Sequence, residues 1–452
     1  MMTTLILVLY GVTLIGVGLA SFKLHDTMTN YLVAGRNQTK LFVVASMLAS
    51  TIGGALTVGA VTKTWTMGFP AFWFVAAGAI AHFLQGWLLS EKVRQTEALT
   101  LSDLADKLVG RSVRRLTSVI VVITWVGIAT AQFVTMAGIV AGATTLSFEV
   151  ALLISVAFLV VYTLLGGQKS VIRTDLYQFI ILALALIFTA IWLFTKHNDG
   201  NLAIDIHLFS ASFQPQDFLY YLVVVGGSYF VCPMMFTRML SADSAKTARR
   251  SSFLSGAGML VFAVVITAIG LWAKAVITPD ALGSAKPLNF IMANYLPAAG
   301  GIILMLGLLS AILSTADTVL LTAAGTLQKD IIGRDSVPLV RVWVVVISIV
   351  AAVIALFYRD IIGIILKTYN GYTAGIVPAL FVAIMYAGKK RPNELLIFAA
   401  IAVGYGLGLA GSFLPVDSTG GQLLPLFGLG ASALLSILAI LIGPAKRQTA
   451  AA

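Results

Sequence analysis

The chain has 452 residues, of which 59% are hydrophobic and 10% charged, far below the quarter charged that soluble domains carry. A soluble globular protein is excluded. The net charge of +11 does not indicate nucleic acid, because the basic residues gather in short loops between apolar runs. Apolar runs long enough to cross about 30 Å of hydrocarbon fall near 3–22, 41–62, 68–89, 116–141, 147–166, 175–195, 215–237, 251–273, 293–328, 338–357, 361–386, 395–413 and 423–443. They predict an all-α polytopic membrane protein of about thirteen transmembrane helices. The first run lacks the basic flank and cleavage site of a secretory leader and reads as a retained helix. The single Cys232 excludes an internal disulfide.

Alternate loops are basic. They hold Lys23, Arg36 and Lys40, then Lys92 to Arg115, Lys169 and Arg173, Arg238 to Arg250, Lys329 and Arg334, Lys389 to Arg391, and Lys446 and Arg447. The intervening loops, with Lys63, Arg359, Asp360 and Asp417, carry little charge. The positive-inside rule then puts the N-terminus outside and the C-terminus in the cytoplasm. Leu101 to Leu108 reads as a short interfacial helix capped by Ser or Thr, and 275–292 as a small external cap. His25, His197 and His207 lie in or near loops and show no metal-binding pattern. No appended soluble domain is expected.

Within the second run, Ser50-Thr51-Ile52-Gly53-Gly54 can interrupt a helix and expose carbonyls to a cation; tight packing through small residues is the competing reading. Gly226-Gly227-Ser228 followed by Pro233 repeats the theme, and Pro233 is expected to kink its helix. In the ninth run, Ala311, Ser314, Thr315 and Thr318 share one helical face, with Asp317 beside it. No other charge lies between Pro287 and Gln328. A carboxylate there is costly unless paired, hydrated or holding an ion. The oxygen-rich face suits a hard cation such as Na⁺, against the alternative that the hydroxyls bond back to their own helix. Asp175 follows Arg173 at a helix start and reads as an interfacial acid. Lys367 either snorkels outward or meets an anionic solute.

Several of these stretches resemble the sodium:solute symporter family. They are Asn30-Tyr31-Leu32-Val33-Ala34-Gly35-Arg36, Ala45 to Gly53, Gly166-Gly167-Gln168-Lys169-Ser170 through Asp175, Leu313 to Thr318, and Gln328-Lys329-Asp330. The resemblance runs from about Asp26 to Arg391. It implies a LeuT-type fold of two inverted five-helix repeats. The divisions would be an extra helix and loop (1–39), a first repeat (40–200), a second repeat (201–388) and two final helices (389–452). It implies a bacterial inner-membrane carrier, and no enzyme, that couples inward Na⁺ flux to uptake of a small polar organic solute by alternating access.

The same resemblance places one Na⁺ on the carbonyls of Ala49, Ile52 and Ala311 and the hydroxyls of Ser314 and Thr315. A second would use Asp175, Ser314, Asp317 and Thr318. Asp317 stands where relatives carry a hydroxyl, so one or two sodium ions, or a proton in place of the second, remain open readings. The solute region would draw on Thr57, Trp73, His82, Gln132, Tyr229, Lys367, Tyr369 and Asn370. Leu56 counts against a hexose, and Lys367 points to an anionic or zwitterionic solute. Membrane lipid is the only other expected partner. A proton-coupled or mixed Na⁺/H⁺ carrier using Asp317 and Asp175 is the main alternative. A channel, a membrane sensor and a membrane enzyme fit the residue pattern less well.

Overall fold

The computed structural model of the chain describes residues 2–21, 26–197, 204–209, 213–415 and 418–444. Lys23, His25, Asp417, Lys446 and Arg447 lie outside these residues. The long helices are named in chain order. α1 is Met2–Ser21, and α2 consists of two pieces, Lys40–Thr51 and Ala55–Met67. α3 is Phe69–Gln95, α4 Arg111–Ala143, α5 Phe148–Leu165 and α6 Gln168–Lys196. α7 is Pro215–Ser241, α8 Ala245–Val276 and α9 Ala298–Ile332. α10 is Val337–Phe357, α11 Ile361–Met385, α12 Glu394–Ser412 and α13 Thr419–Ile442.

Among the described residues, ten of these helices are long and apolar enough to cross a membrane, and the bent α2 pair makes eleven. The thirteen predicted from the runs exceed that count by α1 and α11. In α11 the polar stretch Lys367-Thr368-Tyr369-Asn370 interrupts the apolar pattern. The helices begin where short polar side chains satisfy their first free N–H groups. Ser147 caps α5, Ser244 caps α8, Asp360 caps α11, Asn393 caps α12 and Ser418 caps α13. Leu101–Leu108 forms the expected short helix, with Thr100 accepting from the Asp103 N–H. Pro279–Leu282 and Pro287–Asn294 form the small cap before α9.

Burial separates a centre from a rim. The most apolar windows of α4 and α9 are 72% buried, against 33% for α6, α10 and α13. The first piece of α2 lies at the centre, packed on α6, α8, α9 and the end of α7. Two of the long helices are broken midway, and they are α2, bent by 60°, and α7, which loses helical geometry at Val231 and Cys232. Five positions separate them in the chain order. A pair of backbone bonds, Gln38 N–H to Ser241 O (2.9 Å) and Asp243 N–H to Gln38 O (3.0 Å), ties the entry of α2 to the exit of α7.

Candidate cation and solute site

The break in α2 has a local cause. The Gly53 N–H turns back to Thr51 O (3.0 Å), and the Gly54 N–H donates to Gln132 Oε1 (3.0 Å). In an unbroken helix these donors would serve the carbonyls of Ala49 and Ser50. Ser50 O instead accepts from the Thr315 hydroxyl of α9 (3.1 Å), which also lies 2.9 Å from Ala311 O. A Cβ on Gly53 would stand 2.5 Å from Thr315 Oγ1, so only glycine lets this turn approach α9 so closely. The α2 turn at Ser50 and Gly53 therefore meets α9 at Thr315, with Ala49 and Ile52 flanking the turn in sequence. Ser314 faces the other way and donates to Asp175 Oδ1 (2.5 Å).

The break in α7 follows from Pro233. Proline has no N–H to give Tyr229 O, four residues earlier. Gln85 of α3 supplies the missing donor, its Nε2 reaching Tyr229 O at 2.6 Å and Phe230 O at 3.1 Å. The Tyr372 hydroxyl donates to Val231 O. Gln85 and Tyr372 are thus the residues that make a broken helix tolerable at this depth.

Arg238, counted in the sequence among the basic loop residues, lies inside the protein and is fully buried. Its position five residues after a helix-breaking proline, still within a helical turn, was the available signal. Its Nε reaches Ser46 Oγ (2.9 Å), and its Nη2 reaches Ser50 Oγ (2.7 Å), Thr318 Oγ1 (2.6 Å) and Asp175 Oδ2 (3.2 Å). Asp175 is fully buried too, which corrects its reading as an interfacial acid; helix α6 runs through the interior at this point. It also accepts from the Ser46 hydroxyl. Asp317 sits one residue from the cluster, its Oδ1 3.3 Å from Thr318 Oγ1. Among the described residues its buried Oδ2 has no hydrogen-bond partner. Of the four residues expected for a second sodium, Asp175 and Thr318 touch the guanidinium, Ser314 lies on Asp175, and Asp317 lies beside Thr318.

A small enclosed cavity of about 30 Å³ lies between the two breaks. Ser50, Gly53 and Leu56 line it from α2, Trp125 and Gln132 from α4, Ser228, Tyr229 and Cys232 from α7, Thr315 from α9 and Tyr369 from α11. Of the expected solute residues, Gln132, Tyr229 and Tyr369 meet here, the two tyrosine rings 6.1 Å apart. His82 is buried with its ring 6.4 Å from Tyr229, and its Nδ1 lies 2.8 Å from Gly78 O. Asn370 is buried beside them and accepts from the Tyr220 hydroxyl (2.6 Å).

The remaining expected residues lie elsewhere. Thr57 bonds back to Gly53 O (3.0 Å) and Trp73 packs against Phe218 (4.8 Å). Lys367 lines a separate opening of about 550 Å³ with Lys63, Asp360 and Tyr358, its Nζ 5.4 Å from the Tyr358 ring centre. Ser228, absent from the expected set, also lines the cavity, from the helical turn just before the α7 break. Beyond the cavity, where α9 ends, Asp330 accepts from the Thr100 hydroxyl (2.6 Å) and pairs with Arg114 (3.2 Å), which also pairs with Asp106 (3.1 Å).

A model of the sodium:solute symporter family matches residues 31–394. A sodium/proline symporter of Staphylococcus aureus is 24% identical over 433 residues, covering 87% of this chain and 83% of the relative. Among solved structures, a sodium-coupled sialic acid symporter in a substrate-bound outward-open state superposes with a TM-score of 0.80 at 16% identity, covering 99% of both chains. A transporter of the nucleobase-cation-symport-1 family in a closed conformation gives a TM-score of 0.64 at 14% identity, covering 92% of this chain and 95% of the other. These likenesses establish an inverted-repeat, LeuT-like fold.

Proposed function

The chain belongs to the sodium:solute symporter family, sodium-coupled carriers that move a small solute by alternating access, and we propose that its coupling sodium binds where α9 crosses the break of α2. The observation that supports this is the Thr315 hydroxyl, which lies between Ser50 O of the broken α2 and Ala311 O of its own helix. Carbonyls of Ala49, Ile52 and Ala311, with the Thr315 hydroxyl, form a set of oxygen ligands suited to a hard monovalent ion. Ser314 joins them by turning its hydroxyl from Asp175.

Ser50 and Thr315 belong to the cation crossing and also line the cavity. An ion at the crossing pulls the α2 turn onto α9 and so shapes one wall of the solute site. The reciprocal gain in affinity is the coupling free energy. An inward sodium gradient and negative interior then drive uptake, at roughly 2.3 kcal/mol per charge per 100 mV. In this reading the N-terminus is outside and the C-terminus cytoplasmic. α1 and α11 complete thirteen crossings, and residues 40–200 and 201–388 are the two inverted repeats, each opened by its broken helix.

The solute is small and polar, enclosed by Trp125, Tyr229 and Tyr369 with the amide of Gln132. A zwitterion or anion fits best, because a bound sodium beside the cavity supplies the positive charge that the lining side chains lack. The curated relatives named for proline carry a solute of that class. Lys367 acts at the wider opening, with Lys63, where it attracts anions before they enter. A second reading, in which a proton accompanies the sodium, draws on Asp317 Oδ2, a buried carboxylate oxygen without a partner among the described residues.

A thermal-shift screen of amino acids, small carboxylates and sugars with purified protein, in sodium and in choline, tests the proposal. A zwitterionic or anionic solute is expected to stabilise the protein only in sodium. Stabilisation by a sugar, or equal stabilisation in choline, overturns it.

A further inference from the structure

Two of the three guanidinium nitrogens of Arg238, Nε and Nη2, are held by oxygens as a bound cation would be, while Nη1 has no hydrogen-bond partner among the described residues. The guanidinium lies fully buried among the Ser46, Ser50 and Thr318 hydroxyls and the Asp175 carboxylate, at 2.6–3.2 Å. Those oxygens come from α2, α6 and α9, and the charge comes from α7. The lone pairs facing the guanidinium are already engaged. Ser46 donates to Asp175 Oδ2, the oxygen that faces Nη2, and the Thr318 hydroxyl donates to Ser314 O (2.9 Å) while receiving Nη2. A metal ion needs free lone pairs, and an added positive charge would stand against a fixed one in a site of low dielectric.

The charge is also tethered. Arg238 rides on the short helix after Pro233, and that helix is clamped to the start of α2 through Gln38, Ser241 and Asp243. The guanidinium cannot leave without carrying this end of α7 with it. The other acid facing it is Asp317, which reaches the cluster through Thr318 Oγ1.

We propose that Arg238 is a resident cation, filling the oxygen cage around Asp175 so that this cage takes up no transported sodium. The chain then binds one sodium, at the crossing of α2 and α9, a count that rests on the functional reading above. Loss of the guanidinium turns the same oxygens into a sodium site.

Equilibrium binding of radioactive sodium to the purified full chain tests this, with choline as the replacement ion. One sodium per chain is expected for the wild type, and binding at least about tenfold weaker for Thr315→Ala. Arg238→Ala is expected to bind two, and to become more heat-stable as sodium is added. Arg238→Lys keeps a charge in the cage and is expected to stay at one. Two sodium ions in the wild type, lost to one on Asp175→Asn, overturn the proposal, and this measurement stands even if Arg238→Ala fails to fold. A wild-type count of none removes the coupling site and not the resident cation, which is then upheld if Arg238→Ala gains a sodium and overturned if it gains none.

Discussion

Arg238 Nη2 lies 3.2 Å from Asp175 Oδ2, both side chains being wholly buried, and the pair fastens the second half of α7 to α6. Asp317 is equally buried, but among the described residues its Oδ2 has no hydrogen-bond partner. The two acids should therefore respond differently to the same change. Asp175→Asn strips Arg238 of its carboxylate and leaves a buried charge uncompensated, a loss of about 3–5 kcal/mol. Asp317→Asn removes a poorly partnered carboxylate and should shift stability by no more than about 1 kcal/mol. Denaturation of the two purified variants in detergent checks this. Equal destabilisation would contradict the pairing described.

Thr315→Ala removes a hydroxyl from the crossing of α2 and α9 and leaves Ser50 O without its donor. One oxygen ligand contributes about 1.5–3 kcal/mol, so the sodium concentration for half-maximal stabilisation should rise at least about tenfold. Thr315→Ser keeps the oxygen and should stay near wild type. A sodium titration followed by tryptophan fluorescence reads both. An unchanged midpoint in Thr315→Ala would move the coupling site elsewhere.

Gly53→Ala places a Cβ 2.5 Å from Thr315 Oγ1 and 3.0 Å from Gln132 Oε1. Overpacking of this kind costs about 1–3 kcal/mol, and relief requires the α2 turn to withdraw from α9. The variant should melt earlier and lose the sodium response together. A lowered melting temperature with an intact sodium response would separate the close approach from ion binding.

The ion pairs of Arg114 with Asp330 and Asp106 close the end of the bundle beyond the cavity. Asp330→Asn weakens the Arg114 ion pair, at a cost of about 1 kcal/mol. The natural reporter is Cys232, the chain's single cysteine, which lines the cavity and is buried. Its reaction with a maleimide should run several-fold faster in Asp330→Asn. An unchanged rate would mean that this network does not hold the cavity shut.

Much of the architecture was legible because lipid imposes simple rules. Long uncharged runs must be helices, and glycine pairs and Pro233 mark where a helix cannot continue. The stretch Ser310 to Thr318 showed its oxygen face by spacing alone, and Thr315 and Ala311 are found facing the α2 turn. Gln132, Tyr229 and Tyr369, chosen from helices far apart in the chain, line one cavity.

What only the tertiary structure decided was where charges and amides end. Arg238 and Asp175 each read as surface residues, since both stand beside basic loops. Helix packing buries them together because each neutralises the other across 63 residues of sequence. Lys367 drew attention as a charge in an apolar run, yet it lines the wider opening beside Tyr358. Gln85 carried no sign in the sequence of its role, which is to donate to Tyr229 O and Phe230 O at the α7 break. Composition and periodicity report what a segment must do to live in lipid. Which partner satisfies a buried polar group depends on distances between segments, and no local pattern encodes those.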